Sequence, residues 1–533
     1  MATTPVCPPA CERGGLPLSV LSLILLCQCS AWFESKAGDG ALVSAPEPPQ
    51  LVAPTVSPAP APAGTFALAP PASTPLGRAA GVGSTTIAST SRTSEPVRPA
   101  LDSELHRLRH LAQGRVLGLA PPLLPRALPY APATAESLAD GSESPSALGR
   151  FVPIENEAAL QHFHTALARL AAGNDDDKKV RILAYGASHT QSDLYTGYLR
   201  TYLQSRFGDG GQGFVLLGRV NRWYRTLDTY ATHQGLQVLH ARYKRNVESE
   251  PLGLFGAAMV GKHADAYAEI LTSKESTSTR FELQFLEQPG GGDFTVRVDG
   301  KAGTQVATRA DRIRAGYHTF QISPGAHRIS VRLAGTGPVR LFGIVGESDA
   351  PGVVVDTLGI SGTRMTDQIR WRDDLWVEAL KRRAPDLVTF AYGTNEVKDT
   401  KMSIQAYEAA LRAVLARFRR ALPEVSCVLI SPFDLAASAR PRLVAIIEAQ
   451  RRISREFFCG FWDGYAFMGG EGSLRRWIHA KPPLASSDHI HLTRRGYVYA
   501  GIALGDALMR AYDVSQVQGL EPPRMASSPP PTP

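Results

Sequence analysis

Val180-Arg181-Ile182-Leu183-Ala184-Tyr185-Gly186-Ala187-Ser188-His189-Thr190-Gln191-Ser192-Asp193 is the stretch on which the fold turns. Its first six residues form a short, mostly apolar run with strand character. Residues 194–207 come next, with Leu194, Tyr198, Leu199, Tyr202 and Leu203 at helical spacing. Ser188 therefore falls on a turn from strand to helix. Such a turn lifts a hydroxyl out of a sheet edge, and a helix N-terminus beneath it favours developing negative charge.

A base for that serine lies far down the chain, in Asp488-His489-Ile490-His491-Leu492-Thr493. An Asp three residues before a His can accept the ring's second N–H, which fixes the tautomer and leaves the other nitrogen free to take a serine proton. His491 has its Asp at that offset, whereas His489 reads as a surface or packing residue. Two further blocks lie between. Ile360-Ser361-Gly362-Thr363 comes after the strand-like Val353-Val354-Val355, and Gly393-Thr394-Asn395-Glu396 after Leu387-Val388-Thr389-Phe390. Both sit where a strand ends, the place at which open α/β sheets hold ligands. Singly, Gly362 is a turn glycine, Asn395 a polar turn residue and Ser188 a helix cap. Only their ordered conjunction at successive strand ends points to a hydrolytic site.

That ordered set resembles the SGNH hydrolases, or GDSL-like esterases, whose name lists Ser, Gly, Asn and His in this chain order. The resemblance spans roughly residues 155–510 and implies Ser188 as nucleophile, His491 as base and Asp488 as the partner of His491. It implies an oxyanion hole made from the backbone N–H groups of Ser188 and Gly362 and the Asn395 amide. Ala187 departs from the pattern, since the family usually has a non-catalytic Asp there. The first block, the glycine loop after its helix and a β-rich insert are most similar to the bacterial peptidoglycan O-acetylesterases, whose insert is similar to a carbohydrate-binding module. His189 and Asp193 recur in that pattern, and a helix start and a favourable charge at the helix dipole suffice to explain them.

The activity so implied is a serine esterase that removes O-acetyl groups from a cell-envelope polysaccharide, with acetylated peptidoglycan as substrate. Two alternatives stay open: an O-acetyltransferase using the same site, and a catalytically inactive carbohydrate-binding protein.

Helical and strand patterns alternate again after residue 352, at 371–382, 407–420, 425–433 and 457–465, which implies a parallel sheet covered by helices. The resemblance makes this a three-layer, flavodoxin-like α/β fold. Residues 239–346 differ: Arg280-Phe281-Glu282-Leu283-Gln284-Phe285, Asp293-Phe294-Thr295-Val296-Arg297-Val298 and Ile329-Ser330-Val331-Arg332-Leu333 each alternate apolar and polar. These are half-buried antiparallel strands of an inserted, jelly-roll-like β-sandwich. The expected organisation is a signal peptide or anchor at 1–33, a tether at 34–148, hydrolase segments at 149–238 and 351–513 around an insert at 239–350, and a tail at 514–533.

The chain has 533 residues, 44% of them hydrophobic, and a formal net charge of +8. That charge is not gathered into one stripe, so it suits an anionic polymer rather than nucleic acid. The apolar run from Leu16 to Leu26 is too short to span a bilayer and reads as a secretion signal; an uncleaved anchor is the one membrane contact left open. The stretch after it, rich in Ala, Pro, Ser and Thr, cannot bury a core. These features imply an exported protein of the periplasm or cell envelope. Of six cysteines, only Cys427 and Cys459 lie beyond the leader; neighbouring buried thiols are the default reading, and export allows a disulfide. No Cys/His spacing points to a metal, and no cofactor is expected. Gly208-Asp209-Gly210-Gly211-Gln212-Gly213 fits a dinucleotide pattern but comes after a helix, the reverse of what a phosphate loop needs. Asn221-Arg222-Trp223-Tyr224-Arg225 could stack a sugar, although aromatics beside a sheet more often pack.

Overall fold

The computed structural model describes residues 151–174, 177–242 and 251–518. The expected leader or anchor, the tether and the last residues of the tail lie outside the described residues, as do Cys7, Cys11, Cys27 and Cys29.

A single 3-10 turn, Glu157–Leu160, leads into α1 (Gln161–Ala171). Ala159, Leu160, Phe163, Ala166, Leu167 and Leu170 are all buried on one side. Burying each large apolar side chain contributes about 1.5–3 kcal/mol, so this stripe fixes the helix to the sheet. β1 (Lys179–Gly186) is buried at all 8 positions, as a central parallel strand covered on both faces must be. The next element is α2 (Tyr195–Phe207).

Eleven antiparallel strands come next: β2 (Gly213–Val215), β3 (Thr229–Gln234), β4 (Gln237–His240), β5 (Ala257–Gly261), β6 (Tyr267–Thr272), β7 (Arg280–Glu287), β8 (Asp293–Val298), β9 (Thr304–Ala307), β10 (Arg314–Gln321), β11 (Arg328–Leu333) and β12 (Val339–Glu347). The α/β pattern then resumes with β13 (Gly352–Gly359), α3 (Asp373–Arg383), β14 (Leu387–Ala391), α4 (Thr394–Val397), α5 (Ile404–Ala421), β15 (Ser426–Ile430), α6 (Arg440–Glu456), β16 (Gly460–Trp462), α7 (Gly464–Met468), α8 (Ser473–His479) and α9 (Arg494–Gln518). α5 starts before the periodic apolar residues because the Ser403 side chain accepts from Ala406 N at 3.1 Å and caps it.

The parallel sheet has the order β13-β1-β14-β15-β16. Numbered by appearance, its strands run 2-1-3-4-5, the flavodoxin-like winding, with a switch point beside β1. Val180, Ile182, Val353 and Val355 pack with Phe163 of α1, Tyr198 of α2 and Leu508 of α9 on one face. Leu183, Tyr185 and Phe390 pack with Trp376 of α3, Phe418 of α5 and Ile447 of α6 on the other. Three layers result.

The antiparallel strands form two sheets, β10-β7-β12-β5-β4 with β2 on β12, and β3-β6-β11-β8-β9. Their facing residues interdigitate, as where Phe285 meets Phe294 edge to face at 5.2 Å. Because β2 and β3 already belong to these sheets, the β-rich part begins earlier than residue 239. The short apolar run at 213–217 gives no sign of which sheet it joins. At the other end α9 runs on to Gln518, past the expected start of the tail at 514.

Insert and parallel sheet share a core and a buried ion network. Glu347 of β12 accepts from Arg181 of β1 at 2.8 and 3.1 Å and pairs with Arg383 of α3. Arg383 also grips Asp356 of β13 at 2.5 and 3.1 Å, and Asp356 accepts the Phe214 N–H of β2 at 2.8 Å. Burial pushes the Glu347 carboxyl up, but Arg383 and Arg181 outweigh it and hold it far below the ordinary range. The glycine-rich loop 208–213 closes this joint: a Cβ on Gly211 would sit 2.7 Å from the Glu347 Cα, so the loop serves close backbone packing.

Cys427 and Cys459, read first as neighbouring thiols, are joined as a disulfide with a Cα–Cα distance of 4.8 Å. Adjacent parallel strands place the pair within bridging reach.

Candidate active site

β1 is flanked by β13 and β14, with Gly186 opposite both Gly359 and Ala391. The three loops that leave these strands, after Gly186, Gly359 and Ala391, therefore emerge side by side at one sheet edge. Each carries a residue singled out in the sequence: Ser188, Gly362 and Asn395.

The segment after α8 reaches the same edge. His491 Nε2 lies 2.9 Å from Ser188 Oγ, and His491 Nδ1 lies 2.6 Å from Asp488 Oδ2. A carboxylate can only accept, so Nδ1–H donates to Asp488 and Nε2 accepts from the serine hydroxyl. Asp488 Oδ1 also accepts the backbone N–H of Ile490 at 3.0 Å and of His491 at 2.9 Å, closing a turn that fixes the ring's origin. Partial burial pushes the Asp488 carboxyl up, but these N–H groups and the His491 ring prevail and hold it below its ordinary value. His489 is exposed, at φ 59° in the same turn.

The helix expected directly beneath Ser188 begins only at Tyr195. Residues 187–194 form turns instead, with the N–H groups of Thr190 and Gln191 both bonded to the Ala187 carbonyl. Helix-dipole effects fade within the first turn, so a dipole at Tyr195 contributes little at Ser188. The cause is Asp193. It adopts φ 52° and is fully buried, its carboxylate accepting from Arg200 at 2.7 and 3.1 Å, Thr357 at 2.6 Å, Thr196 at 3.0 Å and the Leu227 N–H at 3.0 Å. Burial pushes its carboxyl up, but Arg200 and the hydrogen bonds from Thr357 and Leu227 outweigh it and leave it below the ordinary value. Asp193 is thus a buried hub tying the serine turn to β13 and to the 227 segment, rather than a dipole charge.

His189 is likewise no helix start. It is buried, with Nδ1 2.9 Å from the Tyr497 hydroxyl and its ring 5.4 Å from that of His491. Burial, assisted by His491, pushes its pKa down to about 3. A neutral ring under His491 adds no repulsion when His491 takes a proton. Ala187 is buried as well, so the motif's missing Asp is replaced by packing.

Three contributors went unread in the sequence. Gln191 Oε1 accepts both the Ser361 N–H at 3.1 Å and the Asn221 amide at 3.0 Å, joining the serine turn to the Gly362 loop. Glu396, fully buried, accepts the Met365 N–H at 2.9 Å and the Gly393 N–H at 3.0 Å, joining the Gly362 loop to the Asn395 loop. Burial pushes Glu396 up to about 7. Arg242, between β4 and β5, lays its guanidinium on Gly362: a Cβ there would lie 2.6 Å from the Arg242 Cζ, and the φ of 80° independently favours glycine. Asn395 donates one amide hydrogen to the Thr363 carbonyl at 2.8 Å, so its orientation is set by the same loop. A Gln in a turn and an Arg in an insert carry no periodic signal; Glu396, adjacent to Asn395, could have been found as a capping residue at the third position after Gly393.

The GDSL-like Lipase/Acylhydrolase family model matches residues 331–499, which hold Gly362, Asn395, Asp488 and His491 but not the Ser188 block across the insert. A solved structure described as a peptidoglycan O-acetylesterase in action is 25% identical, over 67% of this chain and 96% of that one, with a TM-score of 0.56. A family two carbohydrate esterase from Cellvibrio japonicus is 12% identical over 55% of this chain and 98% of its own, with a TM-score of 0.23. A GDSL-like lipase structure from Parabacteroides merdae is 22% identical over 32% of this chain and 74% of its own, with a TM-score of 0.24. No curated protein matches the chain. The chain carries an SGNH-type, GDSL-like acylhydrolase domain that resembles the peptidoglycan O-acetylesterases, and it is a carboxylic ester hydrolase.

Proposed function

We propose that this protein is a serine esterase that removes O-acetyl groups from a cell-envelope glycan, with O-acetylated peptidoglycan as its substrate. The observation that carries the reading is the relay from Asp488 through His491 to Ser188, with separations of 2.6 and 2.9 Å. Likeness to a peptidoglycan O-acetylesterase at 25% identity supports the choice of ester.

Ser188 Oγ attacks the acetyl carbonyl carbon while His491 Nε2 takes its proton, and Asp488 stabilises the imidazolium that forms. The tetrahedral oxyanion is held by the N–H groups of Ser188 and Gly362 and by the second Asn395 amide hydrogen. His491 returns the proton to the departing sugar oxygen, leaving an acetyl-enzyme. Water, deprotonated by His491, then attacks the acetyl carbon, and His491 returns that proton to Ser188 Oγ as the acyl–oxygen bond breaks and acetate leaves. The apolar run at 16–26 and the Ala-, Pro-, Ser- and Thr-rich stretch after it, read in the sequence as a secretion signal and a tether, support an exported, envelope address.

The purified chain is expected to release acetate from O-acetylated peptidoglycan faster than from acetylated xylan. A preference for xylan would overturn the choice of glycan, and acetyl transfer to a chito-oligosaccharide exceeding acetate release would overturn hydrolysis as the main reaction.

A further inference from the structure

Three large apolar side chains are exposed among the described residues: Trp223, Phe458 and Val444. Phe458 precedes β16, at the sheet edge opposite the Ser188 loops, and Val444 lies on α6. Trp223, 62% exposed, belongs to the segment bonded to the serine turn itself, through Asn221 and Arg225.

Its backbone is pinned on both sides. Trp223 N donates to Asn221 Oδ1 at 2.9 Å, and the Asn221 amide donates to Gln191 Oε1, the atom that also takes the Ser361 N–H. Tyr224 is buried, its hydroxyl accepting the Leu216 N–H at 3.1 Å. Arg225 Nε donates to the Ser192 carbonyl at 3.3 Å. The ring is thus held out by a fixed frame, and Arg222 stacks on it at 4.7 Å from the ring centre. A rigid aromatic costs little conformational entropy when a ligand meets it, which is why Trp dominates recognition surfaces.

We propose that Trp223 is the stacking platform for a pyranose ring of the glycan whose ester Ser188 cleaves, with Arg222 behind it favouring a chain that bears carboxylates. This rests on the glycan-esterase reading above and deepens it: Gln191 makes one bracket of the platform, the serine turn and the Gly362 loop. The sequence pentad of Asn221 to Arg225 is divided by the fold, Tyr224 packing inside and Trp223 facing out.

The test compares soluble O-acetylated peptidoglycan strands with p-nitrophenyl acetate, using the full chain and its Trp223→Ala and Trp223→Phe variants. For Trp223→Ala, KM on the glycan is expected to rise about tenfold, with a much smaller change in kcat/KM on the aryl acetate. Trp223→Phe, which keeps a flat face, should recover most of the loss. Equal losses on both substrates, or an unchanged glycan KM, would overturn the platform while leaving the esterase reading in place. A wild-type chain active on the aryl acetate but inert on the glycan would overturn both.

Discussion

Asp488 holds His491 at two points, Oδ2 on the ring Nδ1 at 2.6 Å and Oδ1 on the backbone N–H at 2.9 Å. One carboxylate thus sets both where the histidine sits and which of its nitrogens carries the proton. Asp488→Asn keeps the shape but presents an amide that can donate to Nδ1, favouring the wrong tautomer. kcat for acetyl ester hydrolysis is expected to fall on the order of 100-fold or more, with KM little changed. Steady-state kinetics on an aryl acetate checks this, and a loss confined to KM would contradict it.

Glu396 fixes the spacing of two loops through the N–H groups of Met365 and Gly393. Glu396→Ala leaves both donors without their acceptor, and an unsatisfied buried donor costs about 1–3 kcal/mol. kcat is expected to drop on the order of tenfold because Asn395 and Gly362 lose their register. Glu396→Gln retains one carbonyl acceptor and should recover part of the loss. Identical kinetics for Ala and Gln variants would show that the carboxyl does not set the loop spacing.

His189 gives a pH signature. Its folded pKa, pushed down to about 3, lies below the ordinary histidine value, so the unfolded chain binds the extra proton first. Stability from keeping His189 neutral is complete above about pH 6.5 and is lost as pH falls toward 3, by up to about 1.4 kcal/mol per pH unit. His189→Gln removes this contribution while keeping a polar partner for Tyr497. The fall in urea midpoint between pH 7 and 5 should be smaller in the variant than in the wild type; an equal fall would refute the assignment.

Legibility in the sequence divides along physical lines. α1 was legible because burial on one helix face imposes a short-range period, and β1 and β13 because a strand covered on both faces is a short apolar run. Ser188, Gly362, Asn395, Asp488 and His491 were legible as positions because each comes directly after a strand or sits at a fixed local offset, and the fold brings their loops to one edge. Asp193 was misread because its role depends on Arg200, Thr357 and Leu227, which only the tertiary structure gathers. The same holds for Gln191 and Arg242, whose partners lie on other loops, and for β2 and β3, whose sheet is chosen by distant strands. The 427–459 bridge required knowing that β15 and β16 are neighbours.

The most direct test of Ser188 as nucleophile is to quench the enzyme during turnover of an acetyl ester and identify the acylated peptide by mass spectrometry. An acetyl group on Ser188 is expected, absent in Ser188→Ala, together with loss of acetate release in that variant. Undiminished acetate release by Ser188→Ala, or acetyl found on another residue in the wild type, would contradict it.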